Sequence, residues 1–344
     1  MPPEAPLRIT LDCAALAANW SALDALSGSA SAGAALKADA YGLGARRIAP
    51  VLLDAGCRDF FVAHWAEAAE LIGLIAPQQI AVLHGPQSPA DAGFARDAGL
   101  RPVINSLHQA RIWQEADGGL CDLMIDTGIN RLGLPMADMG DPIIAGLQIE
   151  VLMSHLASAD ENSPQNELQR QRWQQARVHL PHRRASLANS AGIALGAAYH
   201  GDLTRPGLAL YGGVPRDDLG AKIRQVAYPE AQIIQVRELQ AGDSVGYNAT
   251  FTASGPMRIG VVNLGYADGY LRCWSGKGAM QGEGQTLPVL GRVSMDMTVI
   301  DLTAAPALGE GEWVELAYAL PEASRISGLS QYELLTALGR RFPR

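Results

Sequence analysis

At 344 residues the chain exceeds what one core usually organises, and a make-up of 48% hydrophobic and 18% charged residues excludes the disordered and fibrous classes. A net charge of −8 argues against a nucleic-acid or anionic-membrane partner, since both call for a basic surface. No apolar run approaches a membrane span, the start lacks a secretory pattern, and Cys13, Cys57, Cys121 and Cys273 lie far apart without a CxxC pair; reduced thiols in a cytoplasmic protein are expected, with no disulfide frame and no metal site.

Short apolar runs recur through the first 215 residues: "GAALK" (33–37), "FFVA" (60–63), "IAVLH" (80–84), "RPVIN" (101–105), "DLMID" (122–126), "EVLMSH" (150–155), "RASLAN" (184–189) and "LALYG" (208–212). Between them lie helix-like stretches such as "ARRIAPVLLDAG", "AEAAELIGLI" and "NELQRQRWQQARVHL". Strands buried on both faces read as continuous apolar runs, and parallel neighbours need helical crossovers, so eight alternations point to an α/β fold, a (β/α)8 barrel. A doubly wound open sheet competes, but "KADAYGLG" after the first strand offers only G-x-G where that fold carries GxGxxG.

From about residue 220 the texture changes. "AQIIQVREL", "SVGYNATFTA", "MRIGVVNLGYADGY", "TLPVLGRVSMDMTVIDLT" and "EWVELA" are β-rich segments between Gly, Pro, Asp and Ser turns. The expected organisation is a barrel domain over residues 1–218 and a mostly β C-terminal domain over 219–344.

Polar groups at the C-terminal ends of barrel strands are usually the working ones. Here Lys37 closes the first strand with Tyr41 just beyond, Asp126 and Arg131 follow the fifth, His155 closes the sixth, Asn189 and Ser190 the seventh, and Arg205 and Gly207 accompany the last. Taken singly each has a plain reading: packing for Tyr41, a bonded core residue for His155, a helix cap for Asn189 and Ser190, surface charge for the arginines. Together they suggest more. Ser190, Gly207 and the Leu208 amide sit where barrels commonly cup a phosphate, with Tyr41 as a further donor. A lysine held near apolar walls has its charged form disfavoured and can attack a carbonyl to give a Schiff base. Phosphate and aldehyde on one small molecule describe pyridoxal phosphate, whose ring nitrogen is typically met by an Asp or an Arg.

With these residues in place the chain resembles the alanine racemase family over nearly its whole length. The resemblance rests on "LKADAYGLG", "IDTGINRLG", "SHLASAD", "ANSAG", "TRPGLALYG", "VGYNATFTA", "GYADGYLR" and "GRVSMDMTVIDL", in the family's order. It implies that Lys37 carries pyridoxal phosphate covalently and serves as the base on one face of the substrate, while Tyr247 of a second subunit serves the other. It further implies that Arg131 and the Met295 N–H bind the substrate carboxylate, that His155 tunes Tyr247, and that Tyr41, Ser190, Gly207 and Leu208, beside Asn189, hold the cofactor's phosphate end. Arg205 would face the ring nitrogen, Tyr266 and Arg272 would line an entry channel with Asp160, and Asp296 would support them. The family's head-to-tail homodimer, with sites completed in trans, is implied as well. So is the interconversion of L- and D-alanine that supplies peptidoglycan.

Three positions depart from the family's commonest pattern. Met124 stands where many members have a carbamylated lysine, leaving Arg131 to be oriented by Asp126 or a bound anion; Leu43 replaces a frequent histidine; Arg340 stands where some place a tyrosine near the phosphate. Racemisation of another small amino acid such as serine, and a non-catalytic pyridoxal phosphate carrier, are the alternatives. A carrier would resemble the barrel alone, without the segment holding Tyr247, and a related decarboxylase would bring a cysteine block that the surroundings of Cys273 do not match.

Overall fold

The computed structural model describes residues 5–339, 341 and 342; Arg340 lies outside the described residues. The chain divides into two compact units, Cys13–Arg224 and Met1–Asp12 with Gln225–Arg344.

In the first unit, parallel strands Ala34–Ala35, Phe60–Val62, Ile80–Val82, Arg101–Ile104, Leu120–Asp126, Gln148–Met153 and Arg184–Ser186 pair in chain order. Ser31–Ala32, continuous with the first of these through Gly33, pairs parallel with Leu203–Thr204, and an Asn189–Arg205 bridge joins that strand to the segment after Arg184–Ser186. The sheet thus closes as the expected barrel. Gly33 permits the closure: a Cβ there would lie 2.7 Å from the Asp59 carbonyl oxygen. Inward side chains from successive strands, Phe61, Ala81, Val103, Met124, Val151, Met153 and Leu203, fill the interior as one cluster. Met124 therefore spends its side chain on packing.

The run 208–212 corrects the strand reading. It is a buried 3-10 turn, Leu208–Tyr211, opened by Gly207 at φ −134°, ψ −85°, and the eighth strand is the two-residue Leu203–Thr204. Tyr211 anchors the turn by donating to the Ala35 carbonyl at 2.7 Å.

The second unit is an antiparallel sheet in the order Leu7–Leu11, Ala227–Leu239, Met257–Val262, Thr298–Asp301, Gln285–Leu290, Ala279–Gly282, Trp313–Leu316, and the last strand also pairs with Ala227–Leu239. A register shift between Ile233 and Gln235 lets this long strand serve different neighbours along its two halves. Among the described residues no helix is long and apolar enough to cross a membrane, and no group of acidic, His and Cys residues could hold a metal ion.

Candidate active site

The barrel's working end begins at a strained turn. Lys37 opens a helical segment to Tyr41 in which Ala38, Asp39, Ala40 and Tyr41 all have φ between 53° and 57°. Left-handed backbone over four consecutive non-glycine residues costs on the order of 1 kcal/mol each and survives only where the surroundings impose it. Here Glu67 accepts from the Ala38 and Ala63 amides at 2.7 and 2.6 Å, and Asp39 accepts from the Ala45 amide at 2.7 Å. Gly42, at φ 88°, ends the turn. Burial holds the Lys37 ammonium below its ordinary pKa, reinforced by the Arg131 and Arg205 charges and opposed by Glu67. A neutral amine, the nucleophilic form, is thereby favoured.

The loop after Leu120–Asp126 presents Arg131. The Asp126 carboxylate accepts from the Gly128, Ile129 and Asn130 amides at 2.8, 3.0 and 3.2 Å, so it fixes the loop's backbone and does not reach for the guanidinium. Arg131 is exposed, and no described residue hydrogen-bonds or ion-pairs with it. His155, one turn of chain beyond Gln148–Met153, feels Arg205, Arg131 and Lys37. Burial first, and then these cations, lower its pKa to about 3, so the imidazole is neutral near neutrality.

Beyond the next strand, Arg184–Ser186, Asn189 caps the short helix Ser190–Ala194 by accepting from the Gly192 amide at 2.9 Å. The Ser190 hydroxyl accepts from the Gly207 and Ala209 amides at 2.9 and 3.2 Å. Tyr41 closes in from the lysine turn: a Cβ on Gly207 would lie 2.3 Å from its hydroxyl. Tyr41, Ser190, Gly207 and Leu208 are therefore brought together, and two hydroxyls with the Leu208 amide, which donates to no described residue, suit a phosphate. Buried Arg205 donates to the Ser186 hydroxyl and to the Ser154 and Leu187 carbonyls; burial lowers its pKa to about 10, which leaves it a cation and a donor near neutrality. Asp160 is exposed in the loop whose backbone Arg216 holds through the Ala159 carbonyl at 3.1 Å.

The remaining candidates lie in the β unit. Tyr247 is 64% exposed at the tip of the hairpin Ser244–Val245, Phe251–Thr252, where Asn248 and Ala249 also have positive φ. Met295 is 53% exposed, and among the described residues its amide donates to no partner. Its carbonyl accepts from the Ala267 amide at 2.9 Å, and the Ser294 carbonyl from the Tyr266 amide at 3.0 Å, which places Tyr266 beside Met295. The Arg272 guanidinium stacks 5.2 Å from the Tyr266 ring centre. Asp296 pairs with Arg341, which also faces buried Asp268.

Sequence reasoning missed Glu67, Thr127, Ser154, Gln169 and Ser186, which hold the functional groups without being chemically conspicuous themselves. A lysine whose charged form is disfavoured by burial, a phosphate cup, a buried arginine and the exposed Arg131 guanidinium converge on one barrel mouth. Such a set can hold an aldehyde-bearing phosphate ester and a small carboxylate at the same time.

Family models for the alanine racemase N-terminal and C-terminal domains match residues 11–215 and 226–344. Similar proteins include an alanine racemase of Methylobacterium nodulans, 42% identical over 98% of this chain and 95% of its own. An alanine racemase of Agrobacterium fabrum named biosynthetic is 40% identical, covering 99% of this chain and 94% of its own. One of Rhizobium johnstonii named catabolic is 41% identical, covering 98% and 93%. Among solved structures, the alanine racemase of Bartonella henselae with covalently bound pyridoxal phosphate superposes with a TM-score of 0.89 at 34% identity, covering 99% of both chains. The family models together match most of the chain and the relatives are about 40% identical over nearly all of it: the chain belongs to the alanine racemase family.

Proposed function

We propose that the protein is a pyridoxal phosphate-dependent alanine racemase, with Lys37 and Tyr247 as the two bases. The observation that carries this reading is the convergence of Lys37, Arg205, Arg131 and the Tyr41–Ser190–Gly207 cup on one barrel mouth. Tyr41, Ser190 and the Gly207–Leu208 backbone would hold the phosphate, and Arg205 would donate to the ring nitrogen. Bound there, the cofactor supplies an electron-withdrawing ring that makes the substrate's Cα–H acidic. Because arginine can donate but not accept, the ring nitrogen stays unprotonated and the ring a weaker electron sink, which suits a simple proton swap.

Arg131 and the Met295 amide, which donates to no described residue, would fix the substrate carboxylate. Lys37 Nζ would then take or return the proton on one face of Cα and the Tyr247 hydroxyl on the other; neutral His155 would tune that tyrosine as a hydrogen-bond partner. Tyr266, Arg272 and Asp160 would line the approach and restrict it to small amino acids, with Asp296 supporting them. The exposed Tyr247 and Met295 support a homodimer in which each site is completed by the partner. The proposed role is supply of D-alanine for peptidoglycan in the cytoplasm.

The test is a pair of variants. Lys37→Ala should lose both the absorbance of the lysine-bound cofactor and activity, whereas Tyr247→Phe should keep the colour and lose interconversion. A Tyr247→Phe enzyme racemising at the wild-type rate in both directions would overturn the two-base assignment. Strict D-alanine dependence of a strain deleted for the gene would support the biosynthetic role.

A further inference from the structure

We propose that Gln169, acting with Gln165 and Arg172, is the positioning residue for Arg131. This inference rests on the reading of Arg131 as the carboxylate binder. The guanidinium has no side-chain partner among the described residues, and Met124 in the barrel interior offers none. The direction of Arg131 is therefore set by its loop, and the loop must be held from behind.

Gln165, Gln169 and Arg172 are spaced four and three residues apart on the helix Pro164–His179, which puts them on one face. All three reach the segment entering the Arg131 loop. Gln165 Nε2 donates to the Gly128 carbonyl at 3.3 Å, Gln169 Nε2 to the Thr127 hydroxyl at 3.2 Å, and Arg172 Nη1 to the Thr127 carbonyl at 3.0 Å. Asp126 ties the next three amides from the other side.

Gln169 is the hub. It is fully buried, and besides Thr127 it donates to the His155 carbonyl at 3.0 Å and accepts from the Ala157 amide at 2.8 Å. Both amide groups are thus used, as burial requires. The Thr127 hydroxyl lies 2.7 Å from that of Ser154, whose carbonyl accepts from Arg205. One buried amide consequently sets three groups relative to one another: the Arg131 loop, the His155 strand end and, through Ser154, Arg205. Such a network fixes geometry more firmly than isolated surface contacts.

The test uses the holoenzyme and three variants. Gln169→Glu keeps an acceptor for Ala157 but loses both donated bonds; Arg172→Met removes one donor at a half-buried position and leaves the core intact. Each should raise KM for alanine, and the calorimetric Kd for acetate as a bare carboxylate probe, by about tenfold, with kcat within about threefold and cofactor absorbance retained. If Gln169→Glu fails to fold, Arg172→Met decides. A folded, coloured variant with wild-type Kd for acetate, or one losing kcat at unchanged KM, would overturn the inference. Arg131→Lys separates the two levels: if it too left KM and Kd unchanged, the reading of Arg131 falls and this inference with it, whereas loss in Arg131→Lys alone removes only the role of Gln169.

Discussion

The Tyr41 hydroxyl occupies the space that a side chain on Gly207 would need, 2.3 Å from an ideal Cβ, with Ala35 behind it at 3.3 Å. A methyl group there must displace the phenol, the flexible partner of the contact. Gly207→Ala should therefore weaken retention of pyridoxal phosphate by about tenfold or more while changing the melting temperature of the cofactor-free protein by only about a few degrees. Absorbance titration with the cofactor, beside thermal unfolding, checks both halves.

The left-handed turn after Lys37 makes an opposite prediction for Ala38, which is exposed and has φ 54°. Ala38→Gly relieves strain but adds unfolded-chain freedom, so it should be neutral to stabilising by up to about 1 kcal/mol. Ala38→Val places a β-branched residue in forbidden space and should cost upward of about 1 kcal/mol. Urea unfolding of the two variants gives the sign directly.

At the N-terminal ends of the barrel strands, Asp122 is fully buried near Arg101, which also pairs with Asp59. Burial pushes the Asp122 carboxyl up to about 6, against the opposing pull of Arg101. An unfolded aspartate titrates near about 3.9, so between these values the folded state holds the extra proton and stability falls as pH rises. Asp122→Asn abolishes that slope and keeps an acceptor for the Val151 amide, now at 3.1 Å. Its stability relative to wild type should improve from pH 4 to pH 7; a constant difference across denaturation curves at these pH values would contradict the assignment.

Arg341 joins two loops of the β unit through Asp296 at 2.5 Å and Asp268 at 3.5 Å, and Asp268 is fully buried. Arg341→Gln leaves that carboxylate without the Arg341 charge and should lower the denaturation midpoint near neutrality. Burial raises the Asp268 pKa, so protonation removes the unpaired charge and the deficit should shrink as pH falls. Chemical denaturation of this variant across pH measures it.

The barrel was legible because strands buried on both faces must be apolar throughout, and the chemistry was legible because lysine and arginine at strand ends are chemically conspicuous. Leu208–Tyr211 misled for the same reason the method works: an apolar run signals burial, and a buried 3-10 turn is as apolar as a strand. The true eighth strand, Leu203–Thr204, is too short to produce a pattern. The helix Pro164–His179 was expected from its pattern, but the work of its buried face was hidden. Its many polar residues resemble a solvated face, and sequence cannot tell a glutamine in water from Gln169, whose amide is fully buried and bonded to backbone. Nor does composition reveal that Asp126 works on amides and not on Arg131.

The strand Leu7–Leu11 pairs with Ala227–Ala231 and belongs to the β unit. Synthesis therefore makes this segment well before the strand it pairs with, whose last partner residue is Ala231. During that interval the barrel unit, continuous in sequence from Cys13 to Arg224, is already complete in sequence, while the strand Leu7–Leu11 still lacks its partner. A gene fragment beginning at Gln225 would lack that edge strand, so the β unit cannot be excised at a single cut.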